Sequence, residues 1–277
     1  MTARTLRRNG LEVAAVAVAL VLFVIPFVFM FLQAIKSEDE ALDLSFSLPT
    51  SWHVWDNLKE VFSARDFMLV TAFRNSIILT VVSIAILVIT CAMVGFVLQR
   101  RPGRLADFVN LLVLAGLIIP PAVVPTIWVL QSMGLYKTLP GLILVEVAFG
   151  MSFCVLLFRA FVAAIPRELD EAAIVDGCTG FSLFWRVIFP LLRPVTITVI
   201  LTQSVAIFND FVNPLYFLPG DENATVQLTL YNFSSQFLTQ YNLLFMDILV
   251  VTIPPLIMFI LFNRKIVAGM TAGAVKG

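Results

Sequence analysis

The chain has 277 residues, 60% of them hydrophobic and 13% charged, whereas a soluble domain is nearer half apolar and a quarter charged. Eighteen basic residues balance eighteen acidic ones, so no electrostatic footprint for a nucleic acid is expected. A lone His53 and three scattered cysteines, Cys91, Cys154 and Cys178, make neither a metal site nor a disulfide framework.

The N-terminus opens with "MTARTLRRNG" and continues apolar from Leu11 to Ile35. That run is too long for a signal-peptide core and lacks a small-residue cleavage site, so it reads as a retained membrane helix. About 20 apolar residues cross a bilayer as a helix. Five further stretches qualify: Asn75–Gln99, Leu105–Gln131, Leu142–Val162, Val195–Leu218 and Leu243–Phe262. Pro26, Pro120, Pro121, Pro125, Pro254 and Pro255 lie inside spans, as membrane helices tolerate where neighbours satisfy the freed carbonyls. No repeat or low-complexity segment interrupts residues 1–277, which read as a single all-α membrane domain of six spans.

Basic residues orient the spans. With the N-terminus inside, the inner segments hold Arg4, Arg7 and Arg8; Arg100, Arg101 and Arg104; Arg159, Arg167, Arg186 and Arg193; and Arg264, Lys265 and Lys276. The outer segments hold only Lys36, Lys59, Arg65, Arg74 and Lys137. Both termini and the loop Ile165–Pro190 are then cytoplasmic, and Lys36–Arg74 and Pro219–Asn242 are the long polar segments of the other face.

The cytoplasmic loop reads "IPRELDEAAIVDGCTGFSLFWRVIFP". Pro166 suits the first turn of a helix. Glu168, Asp170 and Glu171 would complement the positive end of its dipole. Ala172 and Ala173 would let another surface approach closely, and Gly177 would end the helix in a left-handed conformation. Thr179 could cap a second short helix, on which Phe181, Phe184, Trp185 and Ile188 share a face. An ordinary solvated loop would not need such an aromatic stripe.

"EAAIVDG", nine residues, then "VIFP" closely resembles the cytoplasmic motif of ABC importer permeases, E-A-A-x-x-x-G, nine residues, I-x-L-P. Glu171, Ala172, Ala173, Gly177 and Pro190 match; Val187 and Phe189 depart mildly; Asp176 resembles the carbohydrate subgroup. The likeness extends to "WDNLKEVF" at 55–62, "RNSIILTVVS" at 74–83, "IIPPAVVPTIWVLQSMGL" at 118–135, "FNDFVNPL" at 208–215 and the tail "GMTAGAVKG" at 269–277. That tail resembles one of the two permeases of maltose-type sugar importers.

The resemblance implies the maltose/methionine-type importer permease fold. It implies a homologous second permease, an ATPase dimer, an extracytoplasmic solute-binding protein and a sugar substrate, in a bacterial or archaeal cell membrane. The loop helix would couple to the ATPase through Glu171, Ala172, Ala173, Asp176 and Gly177. Phe184 and Trp185 would anchor the second helix to the membrane helices. No G-x-x-x-x-G-K-[ST] sequence is present, so ATP and Mg would be used by the partner, and this chain is expected to be neither an enzyme nor a cofactor binder.

Polar residues inside spans usually line a pathway or pair. Candidates for a sugar pathway are Trp128, Gln131, Gln203, Asn209, Asp210 and Asn213, with Asn209 and Asn213 on one helix face. Glu146 and Asp247 are further candidates; with Asp210, they would alternatively sit solvated at outer helix ends or pair with Arg74. A polyol or glycerol-phosphodiester permease is a neighbouring alternative. A lone secondary transporter would show paired repeats and broken helices at matching positions, which are not apparent, and an intramembrane enzyme would need more than one outer histidine.

Overall fold

The computed structural model describes the backbone of residues 3–234 and 239–274, and side chains over 12–13, 15–234 and 239–260. The terminal basic residues and the tail motif at 269–277 lie outside the described side chains. The described residues are helical, with no strand beyond an isolated bridge between Ser234 and Thr239.

The helices are α1 (Ala3–Ala34), α2 (Glu38–Leu42), α3 (Val54–Arg100), α4 (Arg104–Ile118), α5 (Val123–Ser132), α6 (Leu139–Ala164), α7 (Glu168–Val175), α8 (Gly180–Leu191), α9 (Arg193–Phe208), α10 (Val212–Phe217) and α11 (Tyr241–Ala274). Short helical turns occupy 221–232. Contacts divide the chain into two units, residues 1–70 with 229–253, and residues 71–228 with 254–277.

In the first unit, Phe29 packs on Phe46 and Phe245 with ring centroids 5.0 and 5.6 Å apart. The expected polar loop after Ile35 is folded rather than loose. Lys36 is fully buried and donates to the Ser45 carbonyl at 2.7 Å, as does the Gln33 amide. Asn57 donates to the carbonyls of Ala34 and Lys36, and Asn242 donates to the Asn57 side chain. Hydrogen bonds from Thr50 hold the Glu40 carboxyl below its usual range. Helix α3 begins in this segment, well before the expected start at Asn75. Its axis breaks where Ala64 is extended and Arg65, Asp66 and Phe67 have positive φ.

In the second unit, α6 is the centre. Phe158, Val155, Cys154 and Val162 are fully buried against Leu87, Cys91 and Ala92 of α3. Helices in lipid gain little from burying apolar surface, so close approach matters more. Gly95 provides it: a Cβ there would lie 2.9 Å from the Arg159 backbone nitrogen and 3.0 Å from Phe158 Cβ.

Four helices are long and apolar enough to cross a membrane: the segments Ala15–Ala34, Val54–Arg100, Leu139–Ala164 and Tyr241–Ile260. A fifth forms if α8 and α9, bent by 74° at Leu192, count as one crossing. Two expected spans are not continuous helices. Leu105–Gln131 divides into α4 and α5 at residues 119–122, because Pro120 and Pro121 force Ile119 out of the helical region, to ψ 120°. Val195–Leu218 divides into α9 and α10. A helix running through would drive the Pro214 ring into the Asp210 carbonyl. Instead Asp210 Oδ1 accepts from the amides of Val212 and Asn213 at 2.9 and 3.3 Å, starting a new helix.

Candidate functional site

Helix α7 is preceded, rather than begun, by Pro166: its first residue is Glu168 and Arg167 is the N-cap. Its end is a Schellman turn. Gly177 N–H donates to the Ile174 carbonyl at 3.0 Å and Cys178 N–H to the Ala173 carbonyl at 2.9 Å, with Gly177 at φ +85°. Glu171, Ala172 and Asp176 are exposed, together with Ile174 at 58% and Val175 at 86%. Ala173 is 7% exposed and packs into the chain's own core. It is therefore not free to meet another surface, contrary to the expectation from its pairing with Ala172. Neighbours on an eight-residue helix point some 100° apart, so only one of the two alanines faces outward.

A pair that the local pattern did not show holds α7 in place. Asp170 is not simply a complement to the helix dipole: its carboxylate meets the Arg100 Nε at 2.7 Å, with side chains 13% and 10% exposed. Arg100 also donates from Nη2 to the Ile165 carbonyl at 2.9 Å. One guanidinium at the end of α3 thus ties the end of α6 to the first turns of α7. Nearby, Arg159 of α6 donates to Gln99 at 3.2 Å and to the Asn110 side chain, tying α3 and α4.

Helix α8 starts at Gly180, but the Thr179 hydroxyl makes no cap bond; the Thr179 carbonyl accepts from Leu183 N–H instead. The expected aromatic face splits. Phe184 and Ile188 are buried, Trp185 is half-buried and Phe181 is 67% exposed. Phe184 packs on Phe96 of α3 at 5.7 Å and on Trp185 at 5.2 Å, and Trp185 packs on Phe189 at 5.0 Å. A π-helical turn over Phe184–Ile188 rotates the chain between these contacts.

The polar pathway candidates are partly gathered. Asn209 and Asn213 do not share a face of one helix, since the break lies between them. The Asn209 side-chain Oδ1 accepts from the Gln227 amide at 3.2 Å, while the Asn213 side-chain amide donates to Glu146 of α6 at 3.1 Å. Glu146 is 6% exposed, so it is not a solvated end residue. Asp247 is likewise fully buried and accepts from Thr229 at 2.9 Å. Arg74 is exposed and forms no ion pair with either acid among the described residues. Gln203 is half-buried one and a half turns back on α9, beside Gly150 of α6. Helix α10 packs on α5, but Trp128 and Gln131 on α5 stay exposed and touch none of the other candidates among the described contacts. Gln227 was not singled out by sequence, because nothing local distinguishes an amide in a loop. Among the described residues no group of metal-ligating side chains occurs.

A family model described as binding-protein-dependent transport system inner membrane component matches residues 92–271, which include α7, α8 and the Gly177 turn. The chain belongs to this family. The inner membrane component is 32% identical over 92% of its length to a probable starch degradation products transport system permease of Thermoanaerobacterium thermosulfurigenes, covering 92% of that protein. It is 30% identical over 92% of its length to a diacetylchitobiose uptake system permease of Streptomyces coelicolor, covering 85% of it. Its fold is that of a bacterial ABC transporter involved in the import of the acidic polysaccharide alginate, with TM-score 0.82 at 18% identity over 95% of this chain and 98% of the other. A bacterial alginate ABC transporter in complex with alginate pentasaccharide-bound periplasmic protein matches with TM-score 0.69 at 14% identity, over 94% and 95%.

Proposed function

We propose that this chain is the permease subunit of an ATP-driven ABC importer that translocates a sugar or oligosaccharide delivered by a solute-binding protein. The observation that carries it is the mounting of α7. A short helix with an exposed face of Glu171, Ala172, Val175 and Asp176 is held rigidly, by the Arg100–Asp170 pair and the Schellman turn, against the membrane helices. Such a helix is built to be pushed by a partner rather than to move alone. The family membership and the carbohydrate-transporting relatives support the substrate class over a polyol.

In this reading the ATPase dimer binds ATP and Mg and receives α7, with Glu171 making a charge-assisted hydrogen bond to a basic groove. A homologous second permease completes the pathway. The two broken segments, α4–α5 and α9–α10, each complete one crossing, giving six in a single permease domain with both termini cytoplasmic. The segments at 36–74 and 219–242 meet the solute-binding protein, in keeping with the periplasmic-protein complex of the alginate transporter. Asn209, Asp210, Asn213 and Gln203 line the sugar path, with Trp128 and Gln131 on its α5 side.

The test uses Glu171→Lys and Gly177→Leu in the assembled transporter. A charge-assisted hydrogen bond is worth about 1.5–3 kcal/mol, and a left-handed residue with a side chain costs roughly 1–2 kcal/mol. Both variants should insert normally and lose sugar uptake, with the ATPase dissociating or hydrolysing without transport. Wild-type ATPase co-purification and uptake in Glu171→Lys would remove the coupling role.

A further inference from the structure

Four arginines cluster where α3, α4 and α6 end, and they divide into two kinds. Arg100 and Arg159 are committed to Asp170, Ile165, Gln99 and Asn110. Arg101 and Arg104 are exposed and form neither ion pair nor side-chain hydrogen bond among the described residues. These two are among the residues that line a groove of about 660 Å³ in the α3–α4 hairpin. Its walls are apolar, including Val94, Val97, Leu105 and Val109, and no acidic side chain lines it. Asp107, in the first turn of α4, is outside the lining.

The groove continues onto an outer face of α4 that is apolar along its length, with Leu105, Phe108, Leu111 and Leu112 all more than half exposed. An aqueous anion would gain nothing from such walls. A bilayer supplies a molecule with both parts. Basic residues at the membrane surface attract anionic headgroups, and long arginine side chains reach that level while their stems cover apolar surface. The first turn of α4, which has no side-chain cap at Gly103, adds its own positive end at the same place.

We infer that the α3–α4 groove is a binding site for an anionic phospholipid, with its acyl chain along Val94, Val97 and Val109 and its phosphate on Arg101 and Arg104. The site abuts the segment entering α8, because Arg101 Nη2 lies 3.8 Å from the position of a Cβ on Gly180. A bound headgroup therefore sits next to the loop between α7 and α8.

The experiment is native mass spectrometry of the purified full-length chain, and of the transport assembly isolated with it. Both are exchanged into micelles carrying phosphatidylglycerol or phosphatidylcholine. Phosphatidylglycerol should be retained in preference. Each arginine contributes about fivefold at an anionic surface, so Arg101→Gln with Arg104→Gln should weaken retention about twenty-five-fold. Ala106→Trp, which fills the groove and keeps both charges, should also weaken it, which guards against a fold defect in the double variant. Helix content and elution volume verify that each variant is folded. Equal retention of phosphatidylcholine, or undiminished retention in both folded variants, would overturn the site. Displacement of the lipid by inorganic phosphate would show a free-anion site instead. Loss of the lipid in the assembly but not in the isolated chain would show that a protein partner fills the groove.

Discussion

Asp170 has two neighbours in sequence, Glu168 and Glu171, that look chemically alike, yet only Asp170 is drawn into the protein. Its pairing with Arg100 is nearly dry, and Arg100 has a second acceptor in the Ile165 carbonyl. Removing one member of a buried pair strands the other charge, at about 3–5 kcal/mol when burial is complete. The slight opening here points to the lower end, about 3 kcal/mol. Asp170→Ala should lower the thermal unfolding midpoint of the purified chain, while Glu168→Ala, on an exposed side chain, should leave it within the error of the scan. Equal effects would mean that the ion pair does not hold α7. The Glu146–Asn213 contact works similarly at the other candidate region. It fixes α10 to α6 and thereby sets the direction of the polar groups around the α9–α10 break.

At the scale of elements, the controlling features are a close approach and a set of breaks. Gly95 lets α3 lie against the Phe158–Arg159 backbone of α6, and backbone atoms cannot yield as a flexible side chain can. Overpacking a core costs about 1–3 kcal/mol. Gly95→Leu should therefore destabilise the chain by at least that amount and separate α3 from α6, which a spin-label distance between the two helices would report. An unchanged distance and unfolding midpoint would show that the helices adjust without strain. The breaks have different causes. Between α4 and α5, consecutive prolines remove the helical option. Between α9 and α10, Pro214 and the Asp210 cap act together, so either feature alone would leave the boundary legible but not certain.

For the whole molecule, the arginine asymmetry sets the expected orientation, and it has a direct check. Gly103 lies in the connection between α3 and α4, exposed and next to Arg101 and Arg104. A cysteine placed there should react with an impermeant thiol reagent only after the membrane is opened. The three native cysteines are buried or half-buried, so the background is low. Labelling in intact cells would reverse the proposed orientation and move α7 to the wrong side for an ATPase. The large apolar side chains left exposed on α1, α4 and α5 fit a chain whose helices lie in lipid.

By itself the sequence determined the class of protein and the layout of the loop before Pro190. Hydropathy, the Lys/Arg count and the chemistry of Gly177 are local properties, so they survive without coordinates. The Gly177 turn and the two short helices around it appear where that chemistry places them. What only the tertiary structure decided is which alike residues have unlike roles. Arg100 and Arg101 are adjacent, and Ala172 and Ala173 are adjacent, yet one of each pair faces inward. The partners of Arg100 and Glu146 lie 70 and 67 residues away, a separation at which a single sequence carries no pairing signal. The helix breaks fall between these cases. Their prolines were visible, but membrane helices can also absorb proline, and only the extended backbone at Ile119 and the Asp210 bonds to the Val212 and Asn213 amides show that these do not.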